Sequence, residues 1–423
     1  MSFGHGFKTK YFPISDNSYN PVNHGSYGLP PQCVIDKYYK EFCADLASPD
    51  TYALTIQPDS YAASLKAVAK FLNCSYKRLA FVENATTGVN CVLRSYPFKK
   101  GDKIVMPSTT YGACANTVRF LEQKIGIEVV VVDLVFPLTD AEVVAAFKKA
   151  FDENTVTLAL FDTVVSMPGV KLPFKELVKL CKEYGVLSLV DGAHSIGLLP
   201  LDFADFEPDY YVSNLHKWLG LPRGNAVLYV DPKHFRTIQT MPISHSYVST
   251  DAELTAEELD NLLVTKFTFT GSKCYASVAA IEEAIRFRAE ECGGEDAIRK
   301  YCFGLAREVG EMAEKKWPGL KIIENEEKSL ATAMITAYVP MEDYSKSFDA
   351  SNLVAAKAFI KFAPQYQIKN YKSYLPFAVH GGKIVVRFSC QVYNELSDYE
   401  YAIEVVQKTI EAFFLSEFDK LSL

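Results

Sequence analysis

Two charged residues follow strand-like segments of this sequence, and together they suggest covalent chemistry. Lys217 comes shortly after the apolar segment that begins at Tyr210, and Asp191 closes the apolar segment that begins at Val186. Short apolar runs between turn residues are typical of buried strands. Burial disfavours a charged amine, and a neutral lysine is a nucleophile that forms Schiff bases with carbonyl groups. An aspartate at a neighbouring strand end can hold a proton on a heterocyclic nitrogen.

A lysine Schiff base with an acidic partner for a pyridine nitrogen is the protein side of pyridoxal phosphate (PLP) chemistry. We therefore predict that Lys217 and Asp191 are catalytic and that PLP is the cofactor. The sequence contains no P-loop, no Gly-x-Gly-x-x-Gly, no His-Glu-x-x-His and no Gly-x-Ser-x-Gly motif. Two rivals stay open: a nicotinamide-dependent oxidoreductase, which the missing glycine fingerprint disfavours, and a non-catalytic scaffold that has kept the fold.

The composition is that of a large globular protein. The 423 residues are 49% hydrophobic and 22% charged, which allows two or three domains. The net charge of −7 argues against a general nucleic-acid or membrane-surface binder. The N-terminal segment lacks an apolar secretory core, and no apolar run approaches the roughly 20 residues of a membrane span. The ten cysteines form no Cys-x-x-Cys pair, so we expect no metal site and a cytoplasmic protein with reduced thiols.

Strand-like and helix-like segments alternate through the middle of the chain, which is typical of a mainly parallel sheet covered on both faces. We predict an extended N-terminal arm at residues 1–30, a large α/β domain with a seven-stranded sheet at 31–290, and a smaller α+β domain at 291–423. A long connecting helix is expected at 273–291. The predicted strands of the large sheet are Leu79–Val82, Lys103–Met106, Ile127–Val132, Val156–Phe161, Val186–Val190, Tyr210–Val212 and Ala226–Val230.

Polar residues collect where the predicted strands end, which is where open α/β sheets bind ligands. Asn84-Ala-Thr-Thr-Gly88 follows the first strand and enters a helix, so its backbone N–H groups can bind an anion. Taken alone, this segment is better explained as an ordinary helix cap. Tyr111 and Ser166 follow later strands, where ring stacking and hydrogen bonding compete with simple packing and capping.

The motifs and their order resemble the class V aminotransferase family of PLP enzymes, which has the fold type I architecture. The likeness runs from about Asn23 to about Ile410. It rests on six segments: Asn23-His-Gly-Ser-Tyr-Gly28, Asn84-Ala-Thr-Thr-Gly88, Val190-Asp-Gly-Ala-His194, Ser213-Asn-Leu-His-Lys217-Trp-Leu219, Phe269-Thr-Gly-Ser272 and Arg387-Phe-Ser.

The resemblance implies a role for each candidate residue. Lys217 would form the Schiff base, and Asp191 would pair with the pyridine nitrogen. Thr270 would reach the phosphate of a neighbouring subunit, which implies a homodimer with the active site at the interface. The substrate carboxylate would be bound by Arg387, with His24 and Ser26 of the N-terminal loop nearby. The remaining cofactor-binding residues would be Ala85, Thr86, Asn214 and His216 at the phosphate, and Tyr111, Ser166 and His194 at the ring.

Some segments depart from the family pattern. Thr163 stands where many relatives have histidine, and Ser272 replaces the second threonine of a Thr-Gly-Thr segment. Residues 161–169 resemble the corresponding segment in a fungal subgroup of the family, which includes hercynylcysteine sulfoxide lyases. Trp218 is expected to pack behind the lysine.

The resemblance favours a carbon–sulfur lyase that removes a β-substituent from a small, cysteine-derived amino acid, either hercynylcysteine sulfoxide or cysteine. Epimerisation, transamination and cysteine desulfuration start from the same α-carbanion and stay open. Desulfuration also needs a mobile nucleophilic cysteine. The candidates Cys274 and Cys390 are expected to serve packing instead, as most free cysteines do.

Overall fold

The computed structural model describes residues 2–16 and 18–416. The strands form two sheets: β1 (Leu79–Val82), β2 (Lys103–Pro107), β3 (Glu128–Val132), β4 (Leu158–Asp162), β5 (Leu187–Asp191), β6 (Tyr210–Asn214), β7 (Ala226–Val230), β8 (Lys321–Ile322), β9 (Met334–Tyr338), β10 (Phe377–His380) and β11 (Lys383–Ser389).

The helices cover both sheets: α1 (His5–Tyr11), α2 (His24–Tyr27), α3 (Gln32–Ala47), α4 (Pro49–Thr51), α5 (Gln57–Leu72), α6 (Ala85–Ser95), α7 (Gly112–Ile125), α8 (Asp140–Glu153), α9 (Phe174–Tyr184), α10 (Ala256–Thr268), α11 (Ala276–Ala279), α12 (Ile281–Glu290), α13 (Glu295–Lys316), α14 (Leu353–Tyr371) and α15 (Leu396–Ser416).

The large sheet has seven strands in the order β1-β7-β6-β5-β4-β2-β3. Strand β7 is antiparallel to both of its neighbours, and the other pairs are parallel. Strands β4, β6 and β7 are buried at every position, as expected for a sheet covered by helices on both faces. The predicted α/β class and mainly parallel sheet are confirmed.

The topology brings four strand ends to one edge of the large sheet. Asp162 at the end of β4 pairs in register with Asp191 at the end of β5, and β6 runs parallel beside β5. Strand β1 is parallel to β6 because both are antiparallel to β7. Val82 and Asn214 therefore face the same residue of β7, Ala226, and the helix that follows β1 begins beside the end of β6.

The smaller sheet has the order β10-β11-β9-β8 and is antiparallel throughout. Helices α13, α14 and α15 supply the apolar core on one face, which is separate from the core of the large domain. Arg387 lies on the central strand β11, opposite Thr336 of β9. This agrees with the predicted smaller α+β domain, although strand β10 was not predicted.

The N-terminal segment is not the extended arm that we expected. Residues 5–11 form α1, which buries Phe7 completely. The Phe7 ring lies 5.1 Å from Phe3 and 4.5 Å from Tyr11, measured between centroids. Phe7 and Tyr11, four residues apart, lie on the same face of the helix, and Phe3, which precedes the helix, packs with them against the core. The many glycine, proline and asparagine residues of the arm had hidden that pattern.

The connecting segment at 273–291 is also not one long helix. It consists of the short helix α11 and the longer helix α12, which Ala280 separates with φ −86° and ψ −3°. No helix within residues 2–16 and 18–416 is both long and apolar enough to cross a membrane. The same residues contain no cluster of three or more His, Cys, Asp or Glu side chains suited to a metal ion.

Candidate active site

A cavity of about 310 Å³ opens at the edge where the strands of the large sheet end. Its polar lining matches most of the residues predicted from sequence. The predicted residues that line it are Ser26, Ala85, Thr86, Tyr111, Ser166, Asp191, His194, Asn214, His216 and Lys217.

Asp191 lies at the floor of the cavity with 3% of its surface exposed. One oxygen, Oδ1, accepts a hydrogen bond from the Ala193 amide at 3.0 Å, and the other, Oδ2, accepts one from the Cys114 thiol at 3.4 Å. Burial raises the pKa of Asp191, while these donors and Lys217 act in the opposite direction. Gly192 allows the turn that follows, because a Cβ there would lie 2.4 Å from the Tyr211 ring.

Lys217 follows β6 and lines the same cavity. Burial, together with the charge of Arg387, lowers the pKa of Lys217 to about 8, although Asp191 and Asp162 favour the charged amine. The Lys217 amine lies 3.1 Å from His194 Nε2. An amine with this pKa is partly neutral near pH 7 and can act as a nucleophile or base.

The first residues of helix α6 also line the cavity. The Asn84 side chain caps it by accepting a hydrogen bond from the Thr87 amide at 2.8 Å, and the Ala85 amide donates to Asn214 Oδ1 at 2.9 Å. A Cβ at Gly88 would lie 2.4 Å from the Val212 side chain, so glycine lets the helix pack closely on the sheet. The helix N-terminus and the Thr86 hydroxyl group make this end suitable for an anion.

Arg387 of the small domain binds two residues of the cavity lining, Ser166 and Ser26, but is not itself part of that lining. Arg387 is 2% exposed, and its guanidinium donates to the Ser166 carbonyl at 2.7 Å, Asn23 Oδ1 at 3.0 Å and Ser26 Oγ at 2.9 Å. These partners are all neutral, and Nε has no partner within the described residues. Burial lowers the pKa of Arg387 to about 10. A buried cation with neutral partners is suited to bind an anionic group of a ligand.

Besides Arg387, two predicted site residues, His24 and Thr270, lie outside the cavity lining. His24 is buried behind Lys217, where its Nε2–H donates to the Lys217 carbonyl at 2.9 Å and its Nδ1 accepts from the Tyr393 hydroxyl at 2.7 Å. It therefore supports the lysine backbone and does not line the cavity. Thr270 is buried outside this cavity, and its amide donates to the Tyr275 hydroxyl at 3.3 Å. Its contact with a second subunit stays a prediction.

The sequence predictions missed several residues of the site. Asp162 lines the cavity beside Asp191, and burial and that carboxyl raise its pKa well above the ordinary value. Its position directly after a buried strand, like that of Asp191, was an available signal. Cys114 and Arg223 also line the cavity but gave no such signal, because their places depend on packing between distant segments.

The model of the family described as Aminotransferase class-V matches residues 29–401. The chain belongs to this family. Among its relatives, hercynylcysteine sulfoxide lyase of Schizosaccharomyces pombe is 29% identical over 406 residues, which cover 96% of this chain and 97% of that protein. The L-cysteine desulfhydrase-like protein lolT1 of Epichloe uncinata is 29% identical over 421 residues, with 92% of each chain covered.

A solved structure of a C-DES mutant, with glycine covalently linked to its PLP cofactor, has the same fold as this class-V chain. The TM-score is 0.74 at 16% identity, and the match covers 96% of this chain and 99% of the other. The fold is therefore that of the fold type I PLP-dependent enzymes, as the sequence predicted.

The residues present in the cavity fit the PLP that class-V aminotransferases use. An amine, a buried carboxylate and a helix N-terminus line one cavity, and they match the aldehyde, the pyridine nitrogen and the phosphate of PLP in chemical type. The backbone beside His216 of the cavity lining is also closely packed, since a Cβ at Gly28 would lie 1.9 Å from the His216 carbonyl oxygen. Gly28 has φ 71°, which favours glycine at this point.

Proposed function

We propose that this protein is a PLP-dependent carbon–sulfur lyase that removes the sulfur substituent from a cysteine-derived amino acid. When bound, PLP supplies an electron sink that stabilises negative charge on the α-carbon of the substrate. The cavity supports this proposal most directly, because the Lys217 amine lines it and the buried guanidinium of Arg387, whose partners are neutral, binds Ser166 and Ser26 of the same lining and acts electrostatically on that amine.

In this proposal, Arg387 binds the α-carboxylate of the substrate. The planar guanidinium offers two parallel N–H donors to a carboxylate. Asn23, Ser26 and the Ser166 carbonyl hold the guanidinium in place through neutral contacts, so none of these partners is a carboxylate that would compete with the substrate. The substrate is therefore oriented with its α-carbon towards the cavity that contains Lys217.

Lys217 would anchor the cofactor and then act as the base that removes the α-proton. Its pKa of about 8 lets the amine take up a proton and release it again near physiological pH. Asp191 would hold the proton on the ring nitrogen, since its carboxylate is fixed by the Ala193 amide and the Cys114 thiol. Ala85, Thr86, Asn214 and His216 would hold the phosphate, while Tyr111, Ser166 and His194 would contact the ring.

Loss of the β-sulfur substituent follows from this arrangement. The electron pair of the broken Cα–H bond forms a double bond between Cα and Cβ, and the sulfur group leaves with the Cβ–S electron pair and takes up a proton. Water then hydrolyses the unsaturated product to a 2-keto acid and ammonia. The names of the two curated relatives, a sulfoxide lyase and a cysteine desulfhydrase-like protein, favour this outcome over epimerisation or transamination.

The cysteines of the chain argue against persulfide transfer. Cys114 lines the cavity, but its thiol donates to Asp191, and burial together with that carboxylate raises its pKa. Cys390 is fully buried in the core of the small domain. Cys274 is exposed, but it lines a separate cavity beside Lys273 and Tyr275. A desulfurase needs a reactive thiolate near the substrate sulfur, and these positions do not supply one.

We also propose that the protein is a homodimer with the active site at the interface, since Thr270 lies outside the cavity of its own chain. A cytoplasmic location is proposed from the unpaired cysteines, which are reduced in that compartment. Light scattering of the purified protein at micromolar concentration tests the proposed homodimer. A monomeric mass together with full activity would contradict it.

A substrate panel tests the proposed reaction. The PLP-loaded protein is incubated with L-cysteine, an S-alkyl cysteine and the sulfoxide of that conjugate, and the keto acid, ammonia and sulfur products are measured. We expect keto acid and ammonia in equal amounts for at least one of these substrates. Alanine formation would indicate desulfuration, a racemised amino acid would indicate epimerisation, and either result as the main product would refute the lyase proposal. Lys217→Ala should remove all turnover, whereas Lys124→Ala on the exposed end of α7 should not.

A further inference from the structure

His194 lies between Trp218 and Lys217, and each of its ring nitrogens contacts one of them. The Trp218 indole nitrogen lies 3.2 Å from His194 Nδ1, and the Lys217 amine lies 3.1 Å from His194 Nε2. His194 and Trp218 are each 2% exposed. The contact between His194 and Trp218 is therefore made inside the protein, whereas the contact between His194 and Lys217 lies at the cavity that both residues line.

The chemistry of the three groups decides where the protons lie. An indole nitrogen can only donate a hydrogen bond, so Nδ1 of His194 must accept and cannot carry a proton. A neutral imidazole has one N–H, which is then on Nε2 and points at the Lys217 amine. A lysine amine accepts a hydrogen bond only in its neutral form, because an ammonium group has no free electron pair.

The surroundings keep His194 neutral. Burial and the charges of Lys217 and Arg387 hold the pKa of His194 well below its usual range, and the nearby His216 and His24 act in the same direction. A doubly protonated His194 would also place an N–H directly against the indole N–H of Trp218. The neutral ring, with its proton on Nε2, is the form that satisfies both contacts.

The indole of Trp218 is held firmly in this orientation. Its ring packs against His24 with the centroids 5.0 Å apart, and Arg288 Nη1 donates to the Trp218 carbonyl at 2.7 Å. A Cβ at Gly197 would lie 2.6 Å from the Trp218 carbonyl carbon, so the backbone is also closely packed. Trp218 does pack behind the lysine as expected, but its N–H is directed at His194.

We propose that Trp218 is a positioning residue that fixes the proton of His194 on Nε2 and thereby favours the neutral, nucleophilic form of the Lys217 amine. Trp218 acts through His194 and does not itself touch the lysine amine. The indole N–H is a donor whatever occupies the cavity. The same tautomer is therefore expected in the cofactor-loaded protein, where Nε2–H remains available to a group bound in front of it.

Nitrogen-15 NMR of histidine-labelled, PLP-loaded protein tests this proposal without any substitution. The chain has seven histidines, and loss of one signal set in His194→Asn assigns the relevant ring. We expect a neutral ring with an unprotonated Nδ1 and a protonated Nε2 from pH 6 to pH 9. A proton on Nδ1, or a ring that becomes doubly protonated in this range, would overturn the proposal.

Trp218→Phe removes the indole N–H while keeping an aromatic ring, and Trp317→Phe in the small-domain core is the matched control. Without the indole donor, His194 can place its proton on Nδ1, and Nε2 can then accept from a charged Lys217. A hydrogen bond to the charged Lys217 amine raises the pKa of that amine. The acid limb of the plot of kcat against pH should therefore move upwards by about one pH unit. The control should leave both the limb and the tautomer unchanged.

The tautomer of His194 measured by NMR and the acid limb of the pH profile are independent readouts. An unshifted acid limb in a folded Trp218→Phe protein, with an unchanged His194 tautomer, would reduce Trp218 to a packing role and overturn the proposal. If Trp218→Phe does not fold, the NMR experiment on the unsubstituted protein still decides the tautomer. That experiment also does not depend on which reaction the enzyme catalyses, so its failure is distinguishable from failure of the lyase proposal.

Discussion

Replacing Arg387 with methionine should abolish recognition of the substrate carboxylate and leave the fold nearly as stable. Two charge-assisted hydrogen bonds to a carboxylate contribute about 1.5–3 kcal/mol each. Their loss should therefore lower kcat/KM by about 10²- to 10⁴-fold. Arg387→Lys keeps a positive charge but loses the pair of parallel N–H donors. Its kcat/KM should therefore lie between the values of the unsubstituted protein and of Arg387→Met.

The effect of Arg387→Met on stability follows from the burial of the guanidinium. Burial lowers the pKa of Arg387 to about 10, which corresponds to about 3 kcal/mol of unfavourable free energy for the charged form. Because the pKa of a base is lowered on folding, this cost is fully present below pH 10 and therefore at pH 7. The three neutral hydrogen bonds of Arg387 offset it by about 1 kcal/mol each. Methionine should thus change the free energy of unfolding by no more than about 2 kcal/mol.

A substrate without the carboxylate separates these effects. The kcat/KM values are measured for a cysteine derivative and for its decarboxylated counterpart, with both the unsubstituted protein and Arg387→Met, and urea unfolding gives the stability. The unsubstituted protein should prefer the amino acid by about the factor that the substitution removes, and Arg387→Met should show almost no preference. If the variant keeps that preference, Arg387 does not bind the carboxylate.

Three further outcomes are expected. Lys217→Ala should lose the visible absorbance of bound PLP, and spectra of the dialysed protein check this; an unchanged spectrum would place the anchor elsewhere. Lys217 must be a neutral amine to remove a proton once the substrate has displaced it from the cofactor, and burial lowers the pKa of that amine to about 8; kcat should therefore rise with pH through about 8, and a flat kcat profile from pH 6 to pH 9 would contradict the assigned base. Gly28→Ala should destabilise the protein by about 2–5 kcal/mol in urea unfolding, because φ is 71° and the new Cβ would lie 1.9 Å from the His216 carbonyl oxygen. Gly101→Ala, at φ 88° with open space around it, should cost only about 1–2 kcal/mol, and equal losses at the two positions would contradict the packing argument.

The large sheet could be predicted from sequence because its strands are short apolar runs between turn residues. Strands β1 and β7 have the predicted ends, and the others differ by one or two residues. Polar residues at the strand ends located the cavity, since parallel strands bring their carboxyl ends together. Lys217 and Asp191 therefore followed from local patterns joined to one topological rule.

The missed features depend on contacts between distant parts of the chain. The support of the Lys217 carbonyl by His24 spans 193 residues, and the contact of Arg387 with the Ser166 carbonyl spans 221. The hydrogen bond of Trp218 to His194 also depends on how two loops pack. No local pattern specifies such contacts, because a side chain of the same type in the same local sequence can face the core or the cavity.

Trapping the cofactor on the protein tests the central claim most directly. The PLP-loaded protein is treated with borohydride, which makes a lysine–cofactor link permanent, and the digested peptides are analysed by mass spectrometry. We predict one modified peptide, with the added mass on Lys217, and loss of that modification in Lys217→Ala. A modification on another lysine, or none in a protein that had bound PLP, would contradict the account.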